Sequence, residues 1–295
     1  MTLLALTTSY RRSRRYLEAG PRHLTMYIFA RFALVRSFVV WLHSKKNPLP
    51  APVSTSTLVE RADADDVVDR VIADGYATGL ALRDEVVQQL LTFSSMATCF
   101  GDAKEDRPFH YCPRDANAEI GPYRLGTYKH ALQASPVLQA LTRDPQLVDI
   151  ARKYLGTEPV LMCARMWWSF AVPADHEQQN AAGQGFHYDI DGYRGLTFFF
   201  YLTDVGPSSG PHIYVRKTHR KKSLRHLLSL YKGQSDLEIE KQYGRDQQVQ
   251  LCGPAGSGFA EDIFGFHKGM HPVSDNRLIV QVRYGLRDYG TGRND

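Results

Sequence analysis

Apolar residues return at helical spacing twice between Asp63 and Phe93, first as Val67, Val68, Val71 and Ile72, then as Val86, Val87, Leu90 and Leu91. Positions three and four apart share one face of a helix, so each set predicts an amphipathic helix. Between them, Asp74-Gly75-Tyr76-Ala77-Thr78-Gly79-Leu80 carries turn signals and reads as a short strand. A third helical pattern runs from Ser135 to Leu155, with Leu138, Leu141, Leu147, Ile150, Ala151 and Tyr154 on one side. After Gly156 the character changes. Val160 to Val172, Leu196 to Thr203, Ile213 to Val215, Gln248 to Leu251, Ile263 to His267 and Arg277 to Tyr284 read as strands, most of them separated by Gly and Pro turns. Helical material interrupts once, from Ser223 to Lys241. A helical first half supporting a β-rich second half predicts a mostly-β fold with flanking helices. A double-sheet jelly roll satisfies that count and closes its own edges.

Two stretches fall outside this periodicity. Residues 100 to 130 are rich in Gly, Pro, Asp and Arg, a long irregular segment of the kind that often carries function, and are expected to wall a substrate. Leu24 to Leu42 is apolar but carries Arg31 and Arg36, and follows the basic run Arg11-Arg12-Ser13-Arg14-Arg15. A spanning helix needs about 20 predominantly apolar residues, so this segment reads as one amphipathic helix. It docks either on its own domain or on a membrane surface, which makes residues 24–42 the candidate peripheral membrane contact. Pro48-Leu49-Pro50-Ala51-Pro52 is a stiff, extended linker. The expected organisation is therefore an N-terminal extension and linker over 1–52 and one main domain over 53–295, with the extension dispensable for chemistry in the main domain.

Charge and cysteines narrow the class. The formal net charge of +5 is mild for 295 residues, and its excess lies in the first 46 residues and in Arg216 to Arg225. Neither stretch interleaves aromatics with cations, so no nucleic-acid partner is expected. The four cysteines, Cys99, Cys112, Cys163 and Cys252, form no CxxC pair. They read as free thiols of a reducing compartment, and no secretory cleavage site follows the apolar segment. The expected location is cytoplasmic, with a membrane-peripheral position as the alternative.

The chemistry concentrates in Gly185-Phe186-His187-Tyr188-Asp189. In a strand, residues i and i+2 point to one face, so His187 and Asp189 reach one space together. Later comes Asp262-Ile263-Phe264-Gly265-Phe266-His267-Lys268-Gly269, with Arg277 ten residues past His267. Two imidazoles and one carboxylate leave open positions on an octahedral metal, the arrangement of non-haem Fe(II) oxygenases. A chelating 2-oxo acid fills two of those positions, and its far carboxylate needs a partner such as the planar fork of an arginine. Arg277 is the candidate, because a strand returning antiparallel from His267 keeps its early residues near the metal and carries Arg283 away. Thr197 and Tyr201 share a face of one strand and are candidate hydrogen-bond partners for the 2-oxo acid. Gln184 and Trp168 are further candidate contacts, although the pair Trp167-Trp168 is first of all a core pattern. His271 rivals His267 as a ligand, but Gly269 and Pro272 rule out the helix that would let both bind one metal. His219, His212, His110 and His130 read as rim or structural histidines.

At these residues the chain resembles a known family. Gln184 to Asp189, Phe199-Phe200-Tyr201-Leu202-Thr203-Asp204-Val205, and Gly210-Pro211-His212 to Arg216-Lys217-Thr218-His219 are similar to phytanoyl-CoA dioxygenase-like proteins. Phe266-His267-Lys268-Gly269 with Arg277 resembles that family's second histidine and co-substrate arginine, and Asp74-Gly75-Tyr76 its opening. The likeness is order-preserving over roughly residues 65 to 287. Lys217-Thr218-His219 departs from the Gly-Ser-His common in relatives, and the segment before residue 55 has no counterpart. The resemblance implies a double-stranded β-helix (cupin-like) core, Fe(II) held by His187, Asp189 and His267, and 2-oxoglutarate as co-substrate, with succinate and CO2 as products. It implies oxidation, foremost hydroxylation, of a small organic or lipid-like metabolite. The rival reading is a metal-binding cupin-like protein without oxygenase turnover.

Overall fold

The apolar N-terminal segment forms two helices rather than one, α1 (Pro21–Phe29) and α2 (Ala33–Lys46). The computed structural model describes residues 20–46, 58–113, 120–173, 184–229 and 233–289, so the basic run at 11–15 and the linker at 48–52 lie outside the described residues. The break between the helices coincides with Arg31, which turns inward. Its Nη1 donates to the carbonyls of Leu227 (3.3 Å) and Ser229. Among the described residues no helix is long and apolar enough to cross a membrane.

The helix–strand–helix order after residue 63 is present as α3 (Ala64–Asp74), β1 (Tyr76–Ala81) and α4 (Asp84–Met96). Asp63 caps α3 by accepting from the N–H groups of Asp65 (2.9 Å) and Asp66 (3.3 Å), and Gly75 closes it at φ 94°. The stretch 100–130 is more regular than its composition predicts. It contributes β2 (Cys99–Gly101), β3 (Pro108–Phe109) and β4 (Leu125–Thr127) to a sheet edge. The helical pattern of 135–155 follows the four-residue α5 (Ala131–Ala134) and is itself split into α6 (Pro136–Leu141) and α7 (Pro145–Leu155). Pro145 has no N–H to continue a helix but fits a first turn, and Asp144 caps it by accepting from Gln146 (2.9 Å) and Leu147 (3.3 Å).

The second half holds β5 (Val160–Ser169), β6 (Gly195–Tyr201), β7 (His212–Val215), α8 (Leu224–Leu228), α9 (Asp236–Tyr243), β8 (Gln248–Leu251), β9 (Ser257–Asp262), β10 (His267–Gly269) and β11 (Arg277–Gly285). An eight-stranded antiparallel sheet has the order β1-β9-β6-β11-β5-β4-β2-β3, and it faces a three-stranded sheet, β10-β7-β8. This is the predicted jelly roll. The strand expected over Ile263–His267 is instead a turn between two strands that lie in different sheets. Asp262 folds it by accepting from the N–H of Phe264 (2.7 Å). At Gly265 a Cβ would sit 1.8 Å from the Tyr214 hydroxyl, so only glycine fits.

Period two assigns the faces of the large sheet. Leu278, Val280, Val282 and Tyr284 of β11, with Trp168, Phe198 and Phe200, pack outward on Val67, Leu90, Leu138 and Ile150 of the supporting helices. Phe199, Tyr201, Phe259 and Ile279 line the inner face. A third cluster lies behind residues 186–190: Phe186, Tyr188, Ile190, Phe264 and Phe266 bury against Met26, Tyr27 and Ala30 at α1.

Candidate metal centre

Residues 186–190 form no regular strand, yet they alternate as an extended chain does. Phe186, Tyr188 and Ile190 are buried in the cluster under α1, while His187 and Asp189 face the barrel interior. The segment is pinned by single bridges. His187 and His267 exchange both backbone hydrogen bonds (2.9 and 2.8 Å), and the N–H of Asp189 donates to Ile263 (2.8 Å). Ligand atoms of His187, Asp189 and His267 thereby fall within 4.8 Å of one another.

Both imidazoles are oriented in the same way. Nδ1 of His187 donates to the carbonyl of Gly185 (2.9 Å), and Nδ1 of His267 to that of Gly265 (3.0 Å). A carbonyl only accepts, so Nδ1 carries the proton and Nε2 is the lone-pair nitrogen, the usual support for a histidine ligand. Burial pushes the His267 pKa down to about 4, against the opposing pull of Glu261, so the ring is neutral at physiological pH.

The two inward arginines of β11 divide the interior. Arg283 donates to Asp189 Oδ2 (2.7 Å) through Nη2, to Asp191 through Nη1, and to Thr197 Oγ1 (3.0 Å) through Nε. Burial opposes its charge, but Asp189 and Asp191 outweigh that and hold its pKa above the ordinary value. Arg277 is equally buried and lacks such company. It donates to the Gly210 carbonyl and to Ser169 Oγ (3.0 Å), its Nε has no partner, and no carboxylate among the described residues pairs with it. Burial lowers its pKa, offset only by Tyr201. Gly269 admits it: a Cβ there would sit 2.9 Å from Nη2. The expectation that Arg283 lies remote from the candidate metal ligands fails: β10 and β11 are in different sheets, and Arg283 bonds Asp189 directly.

Thr197 is buried in the barrel and engaged by Arg283. The Tyr201 hydroxyl is committed to the backbone, donating to Leu251 (2.7 Å) and accepting from the N–H of His212 (3.0 Å). Gln184 is buried with Oε1 accepting from His271 (3.1 Å) and Nε2 without a partner among the described residues. Trp168 is a correction. Alternation turns it outward, where Nε1 donates to the Tyr128 hydroxyl (2.9 Å) and the ring stacks on Phe170, while Trp167 packs on the inner face. Both ring nitrogens of His271 are used, by Gln184 and by the Val172 carbonyl (2.7 Å). His219 bonds the Ile72 carbonyl (3.1 Å), away from the ligand cluster.

Sequence reasoning missed Glu261. It is fully buried on β9 opposite Thr197, with Oε2 2.7 Å from His212 Nε2 and Oε1 3.9 Å from His267 Nδ1. Burial raises its pKa to about 7, and burial pushes that of His212 well below its usual value. Burial thus disfavours charge on both groups, and across 2.7 Å they share one proton. His212 also stacks on the His267 ring at 5.5 Å. The signal that could have found Glu261 is an acid at an inward position of an otherwise apolar strand.

With this geometry the chain can be compared with solved structures. The epimerase SnoN, in complex with Fe3+, alpha ketoglutarate and nogalamycin RO, superposes at TM-score 0.53 and 14% identity over 75% of this chain and 82% of that one. The jelly roll described above is the fold of SnoN. HygX from Streptomyces hygroscopicus, with nickel and 2-oxoglutarate bound, matches at TM-score 0.52 and 15% identity, over 76% of this chain and 87% of that one. The non-heme alpha ketoglutarate dependent carbocyclase SnoK matches at TM-score 0.50 and 16% identity, over 78% and 87%. No protein-family model matches the chain, and no curated protein matches its sequence.

Proposed function

We propose that this protein is a non-haem Fe(II), 2-oxoglutarate-dependent oxygenase acting on a small organic molecule, with hydroxylation as its outcome. One arrangement carries the reading: two imidazole Nε2 atoms and one carboxylate converge in the same interior as a buried arginine that lacks a carboxylate partner. The residues fit the two groups. Nitrogen and oxygen donors in a three-ligand set suit a first-row metal with open positions rather than an all-oxygen Mg2+ or Ca2+ site. A buried guanidinium without a counter-ion is costly, so Arg277 fits a dicarboxylate whose far end it clamps.

His187, Asp189 and His267 would hold the iron, and Arg277 with Ser169 the co-substrate carboxylate. Bound there, iron and 2-oxoglutarate would supply the oxidising power for an O2-dependent reaction that yields succinate and CO2. The chain's own contribution is position. Gly185 and Gly265 fix the ring tautomers, Arg283 aims Asp189, and the apolar inner face of Phe199, Phe259 and Ile279 keeps water from the centre. The likeness to phytanoyl-CoA dioxygenase-like proteins over residues 65 to 287 supports the same reading. For the partner we add an anionic membrane surface at residues 24–42, because Leu34, Phe38, Trp41 and Leu42 are exposed on α2.

The test is anaerobic loading with Fe(II) and 2-oxoglutarate, read as a visible metal-to-ligand charge-transfer band, followed by O2-dependent succinate formation. A metabolite extract screened for O2-dependent addition of one oxygen then identifies the substrate. Asp189→Ala should lose iron and succinate production together. A protein that binds iron but gives neither band nor succinate is the metal-binding cupin instead.

A further inference from the structure

Behind the ligand segment, on the side away from the barrel interior, lies a small cavity of about 30 Å3. It sits between the α1–α2 turn, the segment after β7 and the β9–β10 turn. Arg31, Arg36, Arg220 and Lys222 line it, with Tyr188 and Phe264 as aromatic walls. Tyr188 lies between His187 and Asp189 in sequence but points the opposite way.

The cations meet carbonyls and rings but no acids. Arg31, 6% exposed, donates through Nε to Tyr27 (3.3 Å) and through Nη1 to Leu227 and Ser229, while its buried Nη2 has no partner among the described residues. Arg36 donates to the carbonyls of Ala30 (3.1 Å) and His219 (2.5 Å) and lies 4.0 Å over the Phe264 ring. Lys222 donates to the carbonyls of Thr218 (2.8 Å) and Phe264, and sits 4.3 Å over the Tyr188 ring. Arg220, at the exposed rim, reaches the Ile72 carbonyl at 3.4 Å. Among the described residues no carboxylate pairs with any of the four. Asp262 acts on Arg36 and Lys222 only through space, and its oxygens already accept from the Tyr154 hydroxyl (2.5 Å) and the Phe264 N–H (2.7 Å).

Buried like charges without a counter-ion are unfavourable. We propose that the cavity is a binding site for one phosphate-class oxyanion, held by Arg31 Nη2 and the side chains of Arg36, Arg220 and Lys222. An anion there bridges the N-terminal helices to the rear of the 187–189 segment. The site is separate from the co-substrate clamp: Arg277 lies on the inner face of the large sheet and lines none of this cavity.

The experiment uses the full chain, exchanged into buffer free of phosphate and sulfate, and titrated with inorganic phosphate by calorimetry against chloride of equal ionic strength. The expected result is saturable one-to-one binding that chloride does not reproduce. Arg220→Gln is the informative variant, since an exposed rim residue can change without loss of fold. Loss of one charge-assisted contact should weaken binding by roughly 10- to 100-fold. Arg31→Gln should weaken it at least as much, and Arg277→Met should leave it unaltered. Two outcomes overturn the proposal: no saturable phosphate binding, or binding lost in Arg277→Met and retained in Arg220→Gln and Arg31→Gln.

Discussion

Arg277 and Arg283 are the same residue type on the same face of one strand, six positions apart, and their surroundings separate their roles. Arg283 is neutralised by Asp189 and Asp191, so it orients a candidate metal ligand; Arg277 has no acid beside it among the described residues, which is what the proposed co-substrate clamp requires. Arg277→Ala should raise the 2-oxoglutarate Kd by about 2–4 kcal/mol, roughly 30- to 1000-fold, with iron affinity in the absence of co-substrate unaltered. Arg277→Lys should recover part, because an ammonium cannot reproduce the fork. Arg283→Ala should instead weaken iron binding by about 10- to 100-fold through a loosened Asp189. Anaerobic calorimetry with each component separates the two, and an unchanged co-substrate Kd in Arg277→Ala would remove the clamp. Glu261 gives a pH test on the metal-free protein. Its pKa is raised from 4.5 to about 7, so the folded state keeps the proton that the unfolded state releases. Its contribution is full below about pH 4.5 and is lost as pH rises through about 7, a change of about 3 kcal/mol at most. Glu261→Gln keeps a donor for His212 and does not titrate, so its Tm relative to the unsubstituted protein should climb between pH 5 and pH 8. A difference flat with pH would contradict the raised pKa. The contrast explains what the sequence shows at this scale. His187 and Asp189 stand out because alternation alone places them together. Glu261 carries no such pattern, and only its place opposite Thr197 in the folded sheet shows that it is buried.

Elements were legible where one face decides them and obscure where turns do. The alternation in β11 survives intact: its apolar set packs on the helices, and Arg277, Ile279, Gln281 and Arg283 face the barrel. The passage from His267 to Arg277 reads as the return of a hairpin although β10 and β11 lie in different sheets, because strand pattern does not reveal which sheet a strand joins. Helix breaks were hidden for a local reason, since Asp144-Pro145 interrupts a pattern whose apolar side continues across the break. The N-terminal helices change an expectation about dispensability. Met26, Tyr27 and Ala30 form one cluster with Phe186, Tyr188 and Phe266, so α1 supports the ligand segment from behind. Met26 is 1% exposed, and Met26→Ala should cost about 2–5 kcal/mol, read as a lower urea midpoint with unchanged slope. Removing residues 1–46 should weaken iron binding as well as stability. An unchanged midpoint in Met26→Ala would mean that α1 is not seated on Phe186 in solution.

Charge over the whole chain is unevenly placed. Residues 1–46 hold nine Lys/Arg and one Glu, so they carry +8, and the remaining chain carries −3. The same segment bears exposed apolar side chains: Ile28 (45%) and Phe29 (48%) at the end of α1, and Leu34 (86%) and Phe38 (58%) on α2. Leu34, Phe38, Trp41 and Leu42 follow a helical repeat on the side of α2 opposite Val40, which is buried against the main core. Phe38 and Trp41 stack at 5.9 Å, which makes a continuous aromatic surface. Apolar side chains over a cationic, acid-poor segment complement an anionic bilayer, where each Lys or Arg near the surface contributes about 1 kcal/mol. A second copy of the chain would match the apolar face but would repel it through the same charge. The prediction is co-flotation of the full chain with vesicles of phosphatidylserine and phosphatidylcholine, and little with phosphatidylcholine alone. Salt should weaken it, since the Debye length falls from about 10 Å at 0.1 M to about 3 Å at 1 M. Leu34→Glu with Phe38→Glu changes only exposed positions, so the fold and its Tm should persist while flotation is lost. Equal flotation with neutral and anionic vesicles, or flotation unaffected by the double substitution, would detach this face from the membrane and leave the apolar stripe without an anionic bilayer as its partner.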